Sequence, residues 1–298
     1  MMENLLSSVN AILITGPTAS GKSALAVELA RRHDGAVVNA DSMQVYDTLQ
    51  VLTARPSEEE MQGVPHHLYG HVPAGATYSA GAWLRDVATL LPVLRTTGRL
   101  PVFVGGTGLY FKALTGGLSD MPEIPEALRD ELRTRLLQEG PDGLYAELAE
   151  ADPAMAANLN RQDGQRIVRA LEVMKATGRS IADFQGRSGA EVIDATQARK
   201  IVVLPDRAVL HQRINERFEK MLQQGAEEEV GALLALGLPA DAPVMKAIGV
   251  SQIAAMVRGE MTREEVLEKG AAATRQYAKR QMTWFRNQMD DSWERLTV

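Results

Sequence analysis

The octapeptide Gly16-Pro17-Thr18-Ala19-Ser20-Gly21-Lys22-Ser23 matches the phosphate-loop pattern G-x-x-x-x-G-K-[ST] and directly follows the apolar run Ala11-Ile12-Leu13-Ile14-Thr15. That order restricts the fold more than any other feature of the chain. A buried strand delivers the loop, the glycines let successive backbone N–H groups turn inward, and a helix opening at Lys22 aims the positive end of its dipole at the same point. Lys22 adds a full charge, and Ser23 offers a hydroxyl to a magnesium ion, Mg2+. The amphipathic stretch Ala24-Leu25-Ala26-Val27-Glu28-Leu29 supplies the helix. A glycine-rich turn that binds nothing would not require this agreement of strand, loop and helix. The eight loop residues are therefore expected around a di- or triphosphate.

Further strand-like runs at residues 36–39, 101–104 and 200–204 alternate with helical patterns, which predicts an α/β fold: a P-loop parallel sheet core flanked by helices. Between residues 118 and 199 the strands vanish. Helical patterns at 125–138, 142–150 and 165–177, the last closed by Gly178, predict a helical insert. The expected organisation is residues 1–117 and 200–298 as the two parts of the core, with 118–199 inserted. Asp206 is expected to cap a helix, and Thr262-Arg263-Glu264-Glu265 to open the last and longest one as a capping box.

At 298 residues, 45% hydrophobic and 23% charged, the chain has the composition of a soluble enzyme large enough to bury a substantial core. No apolar stretch approaches membrane-spanning length, and Met1-Met2-Glu3-Asn4 lacks the basic start of a secretory signal, so a cytoplasmic protein with no membrane partner is expected, acting as a monomer. The absence of cysteine excludes disulfides, thiolate zinc sites and a cysteine nucleophile; no structural metal is expected. A net charge of −6 means that any nucleic-acid partner must be met by local basic patches.

An ATPase or GTPase needs a second acidic residue closing an apolar strand beside the loop serine. The strand at 101–104 runs instead into Gly105-Gly106-Thr107-Gly108, which reads equally as a strand-to-helix turn or as a close backbone approach to a ligand. The strand at 36–39 is followed by Asp41, which suits a magnesium ligand, a catalytic base or a cap on the next segment. Ligands in open parallel sheets sit beyond the strands' carboxyl ends, which puts Asp41 in the same crevice as the phosphate loop. The missing second acid favours a transferase over a hydrolase.

From Lys269 to Arg286 the chain carries Lys269, Arg275, Lys279, Arg280 and Arg286 with no acidic residue, interleaved with Tyr277, Trp284 and Phe285. The insert adds Arg161, Arg166, Arg169, Lys175 and Arg179 against Asp163 and Glu172. Two such patches suit a polyanion, positioned by phosphate contacts and read by aromatic or amide side chains.

Together these residues closely resemble the bacterial tRNA dimethylallyltransferase family, also called tRNA isopentenyltransferase. The resemblance rests on the phosphate loop, Asp41-Ser42-Met43-Gln44-Val45-Tyr46, Ala54-Arg55-Pro56, Val64-Pro65-His66-His67-Leu68, Tyr78-Ser79-Ala80-Gly81, residues 104–110, 166–173, 213–218, 274–281 and Thr283-Trp284-Phe285-Arg286, in order along nearly the whole chain. It implies transfer of a dimethylallyl group from dimethylallyl diphosphate to the exocyclic amine of the adenosine beside the anticodon, with the tRNA anticodon stem-loop as partner, the adenine flipped into a channel, and diphosphate released. The phosphate loop would then hold a leaving group. By this resemblance Asp41 accepts the amine's proton, while Thr18, Lys22, Arg217 and a Ser23-bound Mg2+ stabilise the diphosphate. It further assigns to tRNA binding Asp41, Ser42, Met43, Gln44, Thr107, Arg129, Gln165, Arg166, Ile167, Val168, Arg169, Lys246, Ala273, Thr274, Arg275, Gln276, Tyr277, Ala278, Lys279 and Arg280. Val250 and Ser251 depart from the family's usual tyrosine and basic residue, which weakens a contact there, and Leu52-Thr53 stands where many members have Gly-Thr. His66-His67 is read as hydrogen bonding or turn packing. The rival reading is a small-molecule kinase that binds ATP in the same loop and uses Asp41 to activate a hydroxyl; it has no need of the basic stripe.

Overall fold

The computed structural model describes residues 9–185, 189 and 191–297; the segment Met1-Met2-Glu3-Asn4, read above for want of a signal, lies outside them. The chain divides into two compact units, Met1–Thr115 with Glu191–Val298, and Gly116–Ala190. The return to the sheet comes earlier than the expected boundary at residue 200, because Ala198 and Arg199 already pair with Ala11 and Ile12.

Six strands form one all-parallel sheet in the first unit: β1 (Ala11–Thr15), β2 (Gly35–Asn39), β3 (His66–His67), β4 (Leu100–Gly105), β5 (Ala198–Val203) and β6 (Glu294–Leu296), in the order β3-β2-β4-β1-β5-β6. Strand alternation sends Leu13, Val38, Phe103 and Val202 to one face, where they pack with Trp83, Val87 and Leu91 of α3 (Ala80–Thr96) and with Tyr110 and Phe111. Ile12, Ile14, Val37, Val104 and Ile201 go to the other face, against Ala26, Val27, Leu29 and Ala30 of α1 (Lys22–Arg32). Burial on both faces explains why these strands read as unbroken apolar runs. Because β2, β4 and β1 are neighbours, the turns that follow them lie side by side at the sheet's carboxyl edge, where open α/β sheets bind ligands.

Two short or connecting helices, α2 (Glu58–Met61) and α4 (Gly108–Gly116), precede the second unit. That unit holds α5 (Glu126–Glu139), α6 (Pro141–Ala151), α7 (Pro153–Ala157), α8 (Gly164–Thr177) and α9 (Ala182–Gln185), around Leu132, Leu144, Leu148, Ile167 and Leu171. Gly178 ends α8 in the left-handed region at φ 68°, as its sequence position predicted.

The first unit is completed by α10 (Arg207–Gln223), α11 (Ala226–Ala235), a 3-10 turn (Pro243–Lys246), α12 (Val250–Val257) and α13 (Arg263–Gln288). Asp206 caps α10 by accepting the Ala208 N–H, and Thr262 with Glu265 forms the predicted capping box of α13. At 26 residues, α13 spans about 39 Å. It buries Val266 and Ala271 in the cluster of α10 to α12, Ala278 against Leu210 and Ile214, and Phe285 in the core of the sheet. Anchored in three clusters, the helix presents its polar residues from a rigid support.

Candidate active site

The loop after β1 turns on Gly16 and Gly21. A Cβ on Gly16 would lie 2.6 Å from the Val203 carbonyl oxygen, and Gly21 has φ 87°, so both positions exclude larger residues. The Lys22 ammonium donates to the Pro17 carbonyl at 3.1 Å across the loop. Its burial, with Arg217's charge acting in the same direction and Asp41 opposing, lowers its pKa from 10.5 to about 8. The Ser20 hydroxyl is buried with no partner among the described residues, whereas Ser23 is exposed at the first turn of α1.

Asp41 is set by a chain of hydrogen bonds that begins in the core. The Trp83 indole N–H donates to the Asn39 carbonyl at 2.8 Å, Asn39 Oδ1 accepts the Asp41 N–H at 2.9 Å, and Asn39 Nδ2 donates to the Asp41 and Leu68 carbonyls, each at 3.0 Å. Trp83 is itself stacked on Tyr110 at 4.3 Å. Asp41 Oδ1 accepts the Met43 N–H at 2.9 Å, while Oδ2 makes no hydrogen bond among the described residues. Thr107 pins the neighbouring residue: its Oγ1 accepts the Ser42 N–H at 3.0 Å and donates to the Ser42 hydroxyl at 3.3 Å. Gln44 gives both amide protons to the carbonyls of Thr53 and Ala54, at 3.0 and 2.8 Å, leaving only Oε1 for a ligand.

The glycine turn after β4 is a site of close approach. Added Cβ atoms would lie 2.0 Å from the Ala40 carbonyl oxygen at Gly105, 2.3 Å from Gln281 Nε2 at Gly106 and 2.2 Å from the Trp284 ring at Gly108. Each glycine makes room for a different protein neighbour, in a turn that leads from β4 into α4 as the strand-to-helix reading expected.

These turns border a cavity of about 290 Å³. Thr18, Ala19, Asp41, Ser42 and Met43 line it from the sheet's edge, Arg217, Phe218 and Met221 from α10, and Thr274, Tyr277 and Arg280 from α13; Lys246 and Leu52 also contribute. Asp41 is the sole acid among the lining residues, against Arg217, Lys246 and Arg280. Burial lowers the Arg217 pKa against the pull of Glu60 and Asp41, and burial with Asp41's charge raises that of Tyr277. Met221, Phe218 and Leu52 make the far wall apolar.

Of the basic stripe, Lys279, Arg280 and Arg286 are exposed and have no carboxylate within 4 Å among the described residues. Arg275 donates to Asn215 at 2.5 Å, and Lys269 pairs with Glu265 at 3.9 Å. Gln276 is exposed and Ala273 half-buried, but Ala278 is buried between helices and has no free surface. In the second unit Gln165 and Arg166 are exposed and Arg129 half-buried, while Ile167 and Val168 pack in its core, so their side chains are closed to RNA. Four of the five cations read there as a patch are paired among the described residues: Arg166 with Asp163, Arg169 with Glu172, Lys175 with Glu147 and Arg179 with Asp183. The sequence reading therefore gave this patch more free charge than it has.

His66 Nδ1 bonds the Val64 carbonyl oxygen at 2.8 Å in edge strand β3. His67 and His71 stand four apart, but His67 lies in β3 and His71 bonds Tyr78 and Asp86, so the spacing makes no helical metal pair. No group of three or more His, Cys, Asp or Glu suited to a metal ion occurs among the described residues. Val250 is buried and Ser251 exposed at the start of α12. Three residues the sequence reading left without a role also shape the site: Asn39, Glu229 and Gln281. Asn39 could have been suspected as a polar residue ending an apolar strand, and Gln281 closes the segment 274–281 that carries the resemblance; Glu229 carries no local signal.

The all-parallel sheet, the glycine loop leading from β1 into α1, and a charge-lined cavity beyond the strands' carboxyl ends define an α/β protein of phosphate-loop architecture. The sequence profile described as IPP transferase matches residues 44–288, and that described as isopentenyl transferase matches residues 9–69. The chain is 90% identical, over the full length of both, to a tRNA dimethylallyltransferase of Rhizobium johnstonii. Among solved structures it is similar to the tRNA isopentenylpyrophosphate transferase of Bacillus halodurans, at 34% identity and a TM-score of 0.68, covering 97% of this chain and 89% of that one. It also resembles a eukaryotic dimethylallyltransferase acting on tRNA, at 27% identity and a TM-score of 0.78, covering 92% of this chain and 69% of the other. The chain belongs to the tRNA dimethylallyltransferase family.

Proposed function

We infer that the protein is a tRNA dimethylallyltransferase, which moves a dimethylallyl group from dimethylallyl diphosphate to tRNA and releases diphosphate. The acceptor is the exocyclic amine of the adenosine adjacent to the anticodon. The observation that carries this reading is Asp41: a single carboxylate, one oxygen held by Met43 and the other free, facing a cavity whose other charged lining groups are cations. The amine nitrogen attacks the allylic carbon, the bond from that carbon to the diphosphate oxygen breaks, and Asp41 Oδ2 takes the amine proton. Thr18, Lys22 and Arg217 stand where negative charge builds on the departing diphosphate.

The phosphate loop supports Mg2+ as the cofactor. The Ser23 hydroxyl, exposed at the first turn of α1, would hold the ion together with water and diphosphate oxygens. When bound, the ion would neutralise part of the diphosphate's charge. Exposed Lys279 and Arg280 on α13 support contact with the tRNA backbone. The kinase alternative leaves these cations without a role and is not favoured by the family assignment. We place the reaction in the cytoplasm with its tRNA substrate and assign it to a monomer; no described helix is long and apolar enough to cross a membrane. Nucleoside mass spectrometry of tRNA incubated with the protein, Mg2+ and either dimethylallyl diphosphate or ATP tests the reading. A dimethylallyl-adenosine product with the first alone is expected; ATP consumption without that product would overturn it.

A further inference from the structure

The α13 side chain aimed most directly at the phosphate loop is not one of its cations. Gln281 is 6% exposed, and its carboxamide bridges two segments far from it in sequence. Its Oε1 accepts the Thr18 N–H at 2.9 Å, and its Nε2 donates to the Gly106 carbonyl at 3.0 Å. The Asp41 carboxylate lies against the same glycine, with Oδ2 3.4 Å from where a Cβ on Gly106 would stand. One rigid amide plane therefore fixes the separation of the loop carrying Thr18 from the turn that backs Asp41. Only a side chain with an acceptor and a donor on one carbon serves both partners: glutamate lacks the donor when ionised, and methionine fills the volume with neither. Asparagine is one methylene too short.

Resting on the transferase reading above, we propose that Gln281 is a positioning residue of the transfer reaction, holding the diphosphate loop and the proton acceptor in register from the helix that carries Lys279 and Arg280. It touches no reacting atom. Its contribution is to alignment of leaving group, nucleophile and base, where a displacement of about 1 Å can cost on the order of a hundredfold in rate.

The test compares wild type, Q281M, Q281E and G106A for transfer kinetics from dimethylallyl diphosphate to an anticodon stem-loop, tRNA affinity at several salt concentrations, and thermal melting. In G106A the glutamine is kept but its amide is crowded from the other side. Q281M and G106A are expected to lose about tenfold to a hundredfold in kcat with tRNA affinity and its salt dependence unchanged; Q281E, which retains the Thr18 acceptor, is expected to lose less than Q281M below neutral pH. Should Q281M fail to melt cooperatively, G106A decides the question. A folded Q281M or G106A with kcat within twofold of wild type, or a loss confined to tRNA affinity, would overturn the proposal. A wild-type protein that transfers no dimethylallyl group would instead overturn the functional reading beneath it.

Discussion

Glu229 accepts the backbone N–H of Val51 at 2.7 Å, and the same carboxylate takes those of Gln50 and Leu52 at 2.9 and 3.0 Å. An acid on α11 thus holds the turn whose next residues, Thr53 and Ala54, supply the carbonyls that grip Gln44. Leu52, Thr53 and Ala54 all face the cavity. Truncation to Glu229→Ala leaves three N–H groups without their charged partner, so a loss of about 1–3 kcal/mol in stability is expected, together with a raised KM for dimethylallyl diphosphate. Denaturant melts and steady-state kinetics check this; an unchanged KM in a destabilised variant would make Glu229 a stability residue alone.

Gly105→Ala is predicted to destabilise the sheet edge by about 1–3 kcal/mol and to displace Asp41, because the added methyl meets backbone atoms that cannot swing aside. Gly116→Ala, where a Cβ meets nothing within 4 Å, is the control and should be neutral or slightly stabilising. Parallel chemical denaturation of the two variants provides the comparison, and equal stabilities would refute the close-approach account of the turn.

Lys22 gives the site a pH dependence with a definite sign. Its pKa of about 8 means that the loop carries its ammonium below that pH and loses it above. A bound diphosphate favours the charged form, so binding should take up protons near pH 8 and weaken by at most about tenfold per pH unit beyond it. The KM for dimethylallyl diphosphate measured from pH 7 to 9.5 is expected to rise above pH 8 in wild type and to stay flat in Lys22→Met. A flat wild-type profile would contradict the assignment.

The cations of α13 should separate by their partners. Lys279→Ala and Arg280→Ala are each expected to weaken tRNA binding and to reduce the slope of log affinity against log salt by about 0.7 to 0.9. Arg275, already bonded to Asn215, should give a smaller change. Binding measured across a salt series decides this, and identical slopes for wild type and all three variants would reduce the stripe to a solvated helix face.

The four central strands, the cap at Asp206, the capping box at Thr262 and Gly178 were legible because each depends on local chemistry: apolar runs, side-chain oxygens at helix starts, a left-handed C-terminus. Strands β3 and β6 were not, since a two-residue edge strand and the stretch Glu294-Arg295-Leu296 carry no apolar periodicity and form only by pairing with β2 and β5. The loop was legible from its motif, and Asp41's place on the same cavity from its position beyond a strand's carboxyl end; its role came only from the family resemblance. Glu229 sits in the run Glu227-Glu228-Glu229, where nothing distinguishes it until the fold brings residues 50–52 to it. Gln281 likewise acquires its partners only across 263 and 175 positions of chain. Ile167, Val168 and Ala278 show the converse: motif position put them at the RNA, whereas helical periodicity turns them into cores.

The central claim is that Asp41 takes the amine proton as dimethylallyl transfer occurs, and single-turnover transfer by Asp41→Asn tests it most directly. Asparagine keeps the oxygen that accepts the Met43 N–H but cannot take a proton. With enzyme in excess over labelled tRNA and saturating dimethylallyl diphosphate, the account predicts a rate at least about a hundredfold below wild type with tRNA affinity unchanged. A variant that transfers at the wild-type rate, or one whose whole defect is lost tRNA binding, would contradict it.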